Sequence, residues 1–490
     1  DPNLRVLLAA NPATFTVTSE NPFKVTWFTG GFNLDFSAQE VITTRTVTGN
    51  YWILLEQIDF PTAILKITNS SSFFSNTGKP LIGEAFGASY LLLGPYPSWD
   101  QAGSMLASVQ ENFPQARIQA LPLALKMETS RTYDLFWTGD SQGDIIKFEG
   151  NGLLKVNSRR YRGYIDLYLR IRNSERELLL LNELDLESYL YGVVPAEMPF
   201  DWPPEALKAQ AVASRTYALK KLQEAKLDNL TFDVDATVSD QVYRGFEAEK
   251  ESTNQAVDYT RGEVLTYQGE LITAAFHSCS GGYTENNENV WKGIPVPYLR
   301  GVPSPGEEGS KYFQWTRTVT VNSMCQKIEE LKGISLGKII NLETLERGVS
   351  GRIKTLMVYG ITGSCTISGE ELRRVADLPS ALVSWESNSE LRLFVLSSSD
   401  VQEIGLDQAM ALSSSGIQQL PQKFCILSSS GLEEEELSPD IGEYLVFSGK
   451  GWGHGVGMSQ WGARARAEEG KSYQEILAYY YQGVHLEKKY

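Results

Sequence analysis

Glycine occupies every other position in the run Gly449-Lys450-Gly451-Trp452-Gly453-His454-Gly455-Val456-Gly457. Few patterns restrict a fold more, because a period of two belongs to an extended strand, whose alternate residues face opposite ways. On that reading one face of the segment is bare, and the other carries Lys450, Trp452, His454, Val456 and Met458. A bare face admits close approach by another backbone or by a ligand, and the run alone does not choose between them. The chain has three histidines. Two of them, His277 and His454, sit in Gly-rich blocks, the other block being Phe276-His277-Ser278-Cys279-Ser280-Gly281-Gly282-Tyr283-Thr284-Glu285.

A third segment, Val193-Val194-Pro195-Ala196-Glu197-Met198-Pro199, holds one carboxyl group between two prolines among apolar neighbours. Proline fixes φ and stiffens the backbone around Glu197. An apolar setting disfavours the charged carboxylate, and a rigid carboxyl that stays protonated near neutral pH is what a general acid requires. Alone, the segment reads equally as a surface glutamate in a Pro-rich loop.

Taken in order, these blocks resemble the stage II sporulation protein D family, whose domain is shared with amidase-enhancer proteins. The residues carrying the resemblance are 193–219, Asp240-Gln241-Val242-Tyr243-Arg244-Gly245, 276–291 and 449–463, within a stretch from about Gly143 to Tyr490. The resemblance implies a peptidoglycan lytic transglycosylase. Such an enzyme cleaves the MurNAc-GlcNAc β-1,4 bond and leaves 1,6-anhydroMurNAc ends, and the catalytic glutamate falls on Glu197. One carboxyl group suffices for that chemistry, since the C6 hydroxyl of the sugar replaces the water that a two-carboxylate glycosidase activates. The alternative is a non-catalytic glycan-binding protein that enhances a cell-wall amidase. A third reading is a metal-dependent hydrolase using His277, Cys279 and His454.

The expected substrate-binding set is Gln210 and Arg215 from a long helix, Tyr243 and Arg244 from the Asp240–Gly245 stretch, and His277, Ser278, Ser280, Tyr283, Trp452, His454, Met458 and Gln460 from the Gly-rich blocks. Tyr243 reads as a sugar-stacking ring or as core. His277 reads as a groove wall or as a buried hydrogen-bonded histidine. Arg244 reads as an orienting group or as the partner of an acid, and pairing with Glu197 would count against the acid role. In some family members a His-Cys pair just before the Gln-Val-Tyr stretch takes part in binding zinc. Here Ser239-Asp240 stands there, and a structural zinc site needs four N or S ligands, so neither metal nor other cofactor is expected.

A formal net charge of −16 argues against nucleic acid and anionic membrane surfaces as partners. It leaves peptidoglycan glycan strands and a cell-wall amidase as the partners the resemblance implies. No apolar run approaches the ~20 residues of a spanning helix. The resemblance implies an exported, extracytoplasmic protein. Cys279, Cys325, Cys365 and Cys425 allow three full pairings. A Cys325–Cys365 bridge and four reduced thiols are both open.

Composition and pattern predict a mixed, multi-domain α+β chain. Residues 1–50 read as a β-rich segment with strands at Thr14–Thr18, Lys24–Phe28 and Val41–Val47. Residues 51–130 read as an α+β module resembling a SPOR domain in its second half: Tyr90–Ser98, then a helical pattern through Ala102, Leu106 and Val109. Residues 143–490 form the family domain, with an insertion at about 386–440 marked by serine runs and the acidic Glu433–Glu436. Within it a short helix from Asp185 to Val193 leads into a loop bearing Glu197, and Pro203-Pro204 opens the long helix.

Overall fold

The computed structural model describes residues 1–27, 32–85, 88–138, 143, 145–172, 175–387 and 442–490, and six short strands between 392 and 436. The architecture is mixed α+β. It divides into two compact units: Asp1–Thr266 with Glu270–Thr273 and Leu486–Tyr490, and Tyr267–Gly269 with Ala274–His485.

The first unit contains a seven-stranded sheet, in the order Val234–Asp235, Asn3–Ala10, Glu175–Asp185, Tyr164–Arg172, Ile145–Gly150, Phe23–Trp27, Phe32–Phe36. The first 27 residues thus share a sheet with residues beyond 143. Alternation sets its buried face: Val25, Trp27, Ile146, Phe148, Ile165 and Leu167 are all buried.

Between these strands the chain builds a second sheet. Strand Ile42–Gln57, helix Phe60–Asn69, strands Leu81–Ala85 and Ala88–Tyr96, helix Trp99–Gln110 and strand Arg117–Glu128 follow in sequence. The long first strand pairs antiparallel with Ala88–Tyr96 on one side and Arg117–Glu128 on the other. Leu81–Ala85 pairs outside Ala88–Tyr96. This is the split βαβ arrangement of ferredoxin-like modules. Asp134–Trp137 then joins Leu81–Ala85 to Arg117–Glu128 and closes the ring. Gly83 permits the closure, because a Cβ there would lie 1.6 Å from the Phe136 carbonyl oxygen. Inside the ring Trp52, Leu54, Leu92, Leu121 and Phe136 are buried. On the other face Ala63 and Ile67 of the first helix and Ala102 and Val109 of the second are buried too.

Beyond the seven-stranded sheet, helix Leu186–Glu197 packs against helices Pro204–Leu227 and Glu251–Tyr259. Asp185 caps the first by accepting from the Ser188 N–H at 3.0 Å. Pro203 and Pro204 open the second, whose Ala206, Ala209, Ala213 and Ala218 are fully buried and allow close approach. At the centre of the three helices Arg215 and Glu187 form a bidentate ion pair, Nε to Oε1 and Nη2 to Oε2, each at 2.7 Å. Neither side chain reaches solvent. The remaining guanidinium protons go to Val257 O (3.0 Å), Thr260 Oγ1 (3.3 Å) and Glu263 O (3.3 Å). The Tyr490 hydroxyl donates to Glu187 Oε1 at 2.7 Å.

In the second unit, helices Val321–Lys332 and Gly369–Ala376 pack on the sheet Ile339–Arg347, Ile353–Gly360, Ser364–Ser368. A further sheet places Tyr444–Lys450 between Gln314–Thr320 and Val383–Ser387. Met324, Ile328, Leu356, Val358, Leu372 and Phe447 form the shared core. The expected insertion at 386–440 is described only as backbone, in part. Its described part is three antiparallel hairpins, the last holding Glu433–Glu436. Cys425 lies outside the described side chains, and Cys279, Cys325 and Cys365 are free thiols.

Removing one partner of a fully buried pair leaves an uncompensated charge, which costs about 3–5 kcal/mol. Arg215→Met is therefore expected to lower the stability of the first unit by about that amount. In denaturant unfolding, Glu187→Leu/Arg215→Met should cost less than Arg215→Met alone.

Candidate functional site

Glu197 is the last residue of its helix, so the helix runs four residues beyond the expected end at Val193 and Glu197 is not in a loop. Pro195 is accommodated in the final turns. Pro199 then disfavours helical geometry at Met198, which is extended at φ −134°, ψ 133°. The Met198 N–H closes the last turn on Val194 O at 2.9 Å. The carboxyl group is thus fixed at a defined helix end, half-buried, and Oε1 accepts the Val242 N–H at 2.9 Å. A helix C-terminus disfavours negative charge, whereas an amide donor favours it. Glu197 sits under both influences.

The Val242 loop is itself held from several sides. Asp240 accepts the Tyr217 hydroxyl (2.8 Å) and the Asp235 N–H (2.9 Å) and pairs with Lys221 (3.0 Å). Gln241 is fully buried, its Oε1 accepting the Tyr189 hydroxyl at 3.3 Å. Tyr243 is buried, donates to Asn182 Oδ1 at 2.8 Å and packs against Tyr161 and Tyr189. Its ring requires a bare Gly192, where a Cβ would lie 2.6 Å away. Burial pushes the Tyr189 and Tyr243 hydroxyls well above their ordinary range, so both stay neutral donors.

Several expected groove residues are therefore placed elsewhere. Tyr243 is core. Arg215 is consumed by Glu187, and Gln210 is buried with Nε2 donating to Ser214 Oγ at 3.0 Å. Of the set in this unit, Arg244 alone is exposed, and it makes no ion pair among the described residues. Its backbone N–H donates to Gly192 O at 3.4 Å.

In the second unit the two Gly-rich blocks form one structure. The run 449–457 is not the extended strand its period suggests. Strand Tyr444–Lys450 ends inside it, and Gly451, Gly453, Gly455 and Gly457 all have φ between +70° and +107°. Such dihedrals favour glycine, so the alternation reflects backbone conformation rather than a bare strand face. The run threads along the first block. Cys279 and Trp452 exchange backbone hydrogen bonds (3.1 and 2.8 Å), Glu285 N–H donates to Gly455 O (2.7 Å), and Met458 N–H donates to Ala275 O (3.1 Å). Another backbone does approach closely: a Cβ on Gly457 would lie 2.0 Å from Ala275 O.

Three buried charges tie this knot. Glu307 accepts from the Cys279 thiol (3.1 Å), Ser280 Oγ (2.8 Å), Gly281 N–H (2.9 Å) and Ser304 Oγ (2.6 Å). Glu285 accepts from the Asn286, Val349 and Ser350 N–H groups and from Asn289. Arg352 donates to Ser280 O (2.7 Å) and Tyr283 O (3.0 Å). Burial lowers the Arg352 pKa to about 10, and burial together with Glu307 pushes the Cys279 thiol up to about 12. Cys279 is thus held as a neutral thiol that donates to Glu307. Sequence reading did not single out Glu307 or Arg352, because neither lies in a block whose spacing suggests a partner.

His277 is buried, with Nδ1 3.1 Å from Val456 O. His454 Nδ1 accepts the Val456 N–H at 3.0 Å. The two rings lie 5.5 Å apart, and Trp291 lies 4.9 Å from His454. Burial, with Arg352 and Arg373 nearby, holds His454 down at about 3. Burial and His454 hold His277 well below the usual imidazole range. Ser280, Met458 and Gln460 are buried, whereas Ser278 is partly accessible and Tyr283 and Trp452 are exposed. Trp452 packs on Tyr312 with centroids 3.9 Å apart. Among the described residues no group of three His, Cys, Asp or Glu side chains could hold a metal ion.

Residues 174–267, which include Glu197, match the family described as stage II sporulation protein, and residues 304–398 match a domain of unknown function. Stage II sporulation protein D of Bacillus subtilis (strain 168) is 31% identical over 324 residues, covering 62% of this chain and 75% of that protein. The chain belongs to the stage II sporulation protein D family. An uncharacterized protein of Brachyspira hyodysenteriae is 33% identical over 341 residues, covering 70% of this chain and 76% of that one. The amidase enhancer of B. subtilis is 32% identical over 311 residues, but the chain spans only 40% of its length. Within this family member Glu197, Gln210, Arg215, Tyr243 and Arg244 all fall inside the matched 174–267 segment, and no helix among the described residues is long and apolar enough to cross a membrane.

The depressed histidines carry a pH signature. Above about pH 6.5 the imidazoles are neutral in both folded and unfolded chains and contribute nothing. Below it the unfolded chain takes up protons that the fold refuses, so stability falls by up to about 1.4 kcal/mol per pH unit for each imidazole. Denaturant unfolding of the second unit between pH 6.5 and 5 should show this slope, and His277→Gln should remove about one proton's share of it.

Proposed function

We propose that the protein is a lytic transglycosylase of peptidoglycan, with Glu197 as general acid and then general base. The observation that carries this reading is the placement of Glu197: a half-buried carboxyl at the stopped end of a helix, gripped at one oxygen by the Val242 N–H. The proton of Glu197 goes to the glycosidic oxygen as the C1–O bond breaks. The resulting carboxylate takes the proton of the C6 hydroxyl as O6 closes onto C1. The proton ledger balances with a single carboxyl and no water, and the product is a 1,6-anhydro end. Arg244, exposed and without an ion pair among the described residues, stands two residues after Val242 and is available to orient a sugar substituent. An extracytoplasmic setting and peptide-free strands as substrate belong to the same reading.

A second reading has an observation of its own. The amidase enhancer of B. subtilis is among the relatives, and burial of Gln210, Arg215 and Tyr243 removes three of the expected sugar contacts near Glu197. In that reading the protein binds glycan and enhances a cell-wall amidase, and Glu197 serves only as a hydrogen-bonding group.

Digests of peptide-free and intact peptidoglycan by wild type and Glu197→Gln, analysed by mass spectrometry, separate the two. Gln preserves an acceptor for the Val242 N–H but carries no proton to donate. Anhydro ends from wild type, reduced by about 10²-fold or more in the variant, are expected for an acid of this kind. Reducing ends would mean hydrolysis and a second carboxylate. No products from either protein, with strand binding intact in both, would favour the amidase-enhancing reading.

A further inference from the structure

Asp240 is a carboxylate that the chemistry of Glu197 leaves unused, and its side chain is only 14% exposed. It stands two residues before Val242, whose N–H holds Glu197 Oε1 at 2.9 Å. Three donors converge on it. Oδ1 takes the Tyr217 hydroxyl at 2.8 Å and the Lys221 ammonium at 3.0 Å, and Oδ2 takes the Asp235 N–H at 2.9 Å. Tyr217 and Lys221 stand four residues apart on helix Pro204–Leu227, the spacing that puts two side chains on one face. The carboxylate therefore ties the loop to that helix and to the strand Val234–Asp235 at once.

The other holds on this loop are of a different kind. The Asp240 N–H donates to Thr237 O (3.2 Å) and the Tyr243 N–H to Ala236 O (3.0 Å), which closes 236–243 on itself. Gln241 accepts the Tyr189 hydroxyl at 3.3 Å and donates from Nε2 to Ser214 O at 3.4 Å. Both contacts are long and neutral, whereas hydrogen bonds to an ionised group are shorter and roughly twice as strong. Tyr243 anchors the far side of Val242 through Asn182. Val242 is thus suspended between an ionic anchor at Asp240 and an aromatic one at Tyr243.

We propose that Asp240 is a positioning residue for Glu197. By keeping the Val242 N–H on Oε1 it gives the two carboxyl oxygens different tasks. An oxygen that already accepts an N–H is the poorer seat for a proton, so the proton that Glu197 gives and takes back is carried on Oε2. Without the anchor the carboxyl group turns about its last bond and aims that proton in more than one direction. The effect on rate rests on the transglycosylase reading, whereas the hold of Asp240 on the Val242–Glu197 bond does not.

The test uses the full chain with two variants. Asp240→Asn leaves one acceptor oxygen for donors that now occupy two, and Tyr217→Phe removes one donor without changing charge. A misplaced acid loses about tenfold to a hundredfold in rate. Asp240→Asn is therefore expected to lower kcat for anhydro ends from peptide-free strands by about that factor with KM unchanged, and Tyr217→Phe to lower it less. The second readout needs no turnover. In protein carrying isotope-labelled valine, Glu197→Gln should move the Val242 amide resonance, and that movement should be lost when Asp240→Asn is already present, with the amides of Val212 and Val257 in place. An unchanged kcat in Asp240→Asn, a raised KM with kcat intact, or a Val242 resonance that still follows Glu197→Gln would overturn the proposal. Should Asp240→Asn fail to fold, the same two measurements on Tyr217→Phe decide it. If no protein forms anhydro ends, the transglycosylase reading fails by itself, and the valine measurement still decides on Asp240.

Discussion

The Glu187–Arg215 pair is the constraint on which the first unit depends. A guanidinium wholly removed from water has to find a partner for every proton, and Arg215 finds them on four residues around it. Glu187 in turn takes the hydroxyl of Tyr490. The pair contributes less through its own strength than through intolerance of any other arrangement, because a shift of one helix would strand a buried charge. Glu187 stands ten residues before Glu197 on the same helix. The rigidity demanded by one carboxylate is thereby passed to the other, which is a physical reason for a half-exposed acid to keep its geometry.

The second unit solves a similar problem with different means. Glu285, Glu307 and Arg352 are buried and held almost entirely by backbone amides, carbonyls and hydroxyls rather than by one another. Such networks specify position through many directed bonds, and a partly satisfied version would be costly. The result is a well-determined shape carrying two neutral imidazoles, with Trp452, Tyr283 and Trp291 at the surface.

Much of this was legible from the sequence, and the misses have physical causes. The opening of the long helix at Pro203-Pro204 and the strand Tyr164–Arg172 follow from local rules. The helix Phe60–Asn69 was hidden by Thr62, Ile64, Ile67 and Thr68, β-branched residues that weaken the helical signal until Ala63 and Ile67 are buried against a sheet. Arg215 was read as a cleft residue, because its buried partner Glu187 lies 28 residues away with no pattern to announce it. The glycine alternation was misread as strand because period two is shared by extended chain and by a run of positive-φ turns. Glu197, by contrast, stood out through its two prolines, and the second of them, Pro199, ends its helix.

The threading of 451–459 along 274–285 also has a consequence for how the chain is made. More than 160 residues separate the two blocks, and the first has no backbone partners for Cys279, Glu285 or Ala275 until the second has emerged from the ribosome. Pairing at that separation is slow and leaves unpaired edges exposed in the meantime. Assembly of the second unit is therefore deferred until its second Gly-rich block has been made, and a chain interrupted before residue 449 would leave the first block without the backbone partners that position it.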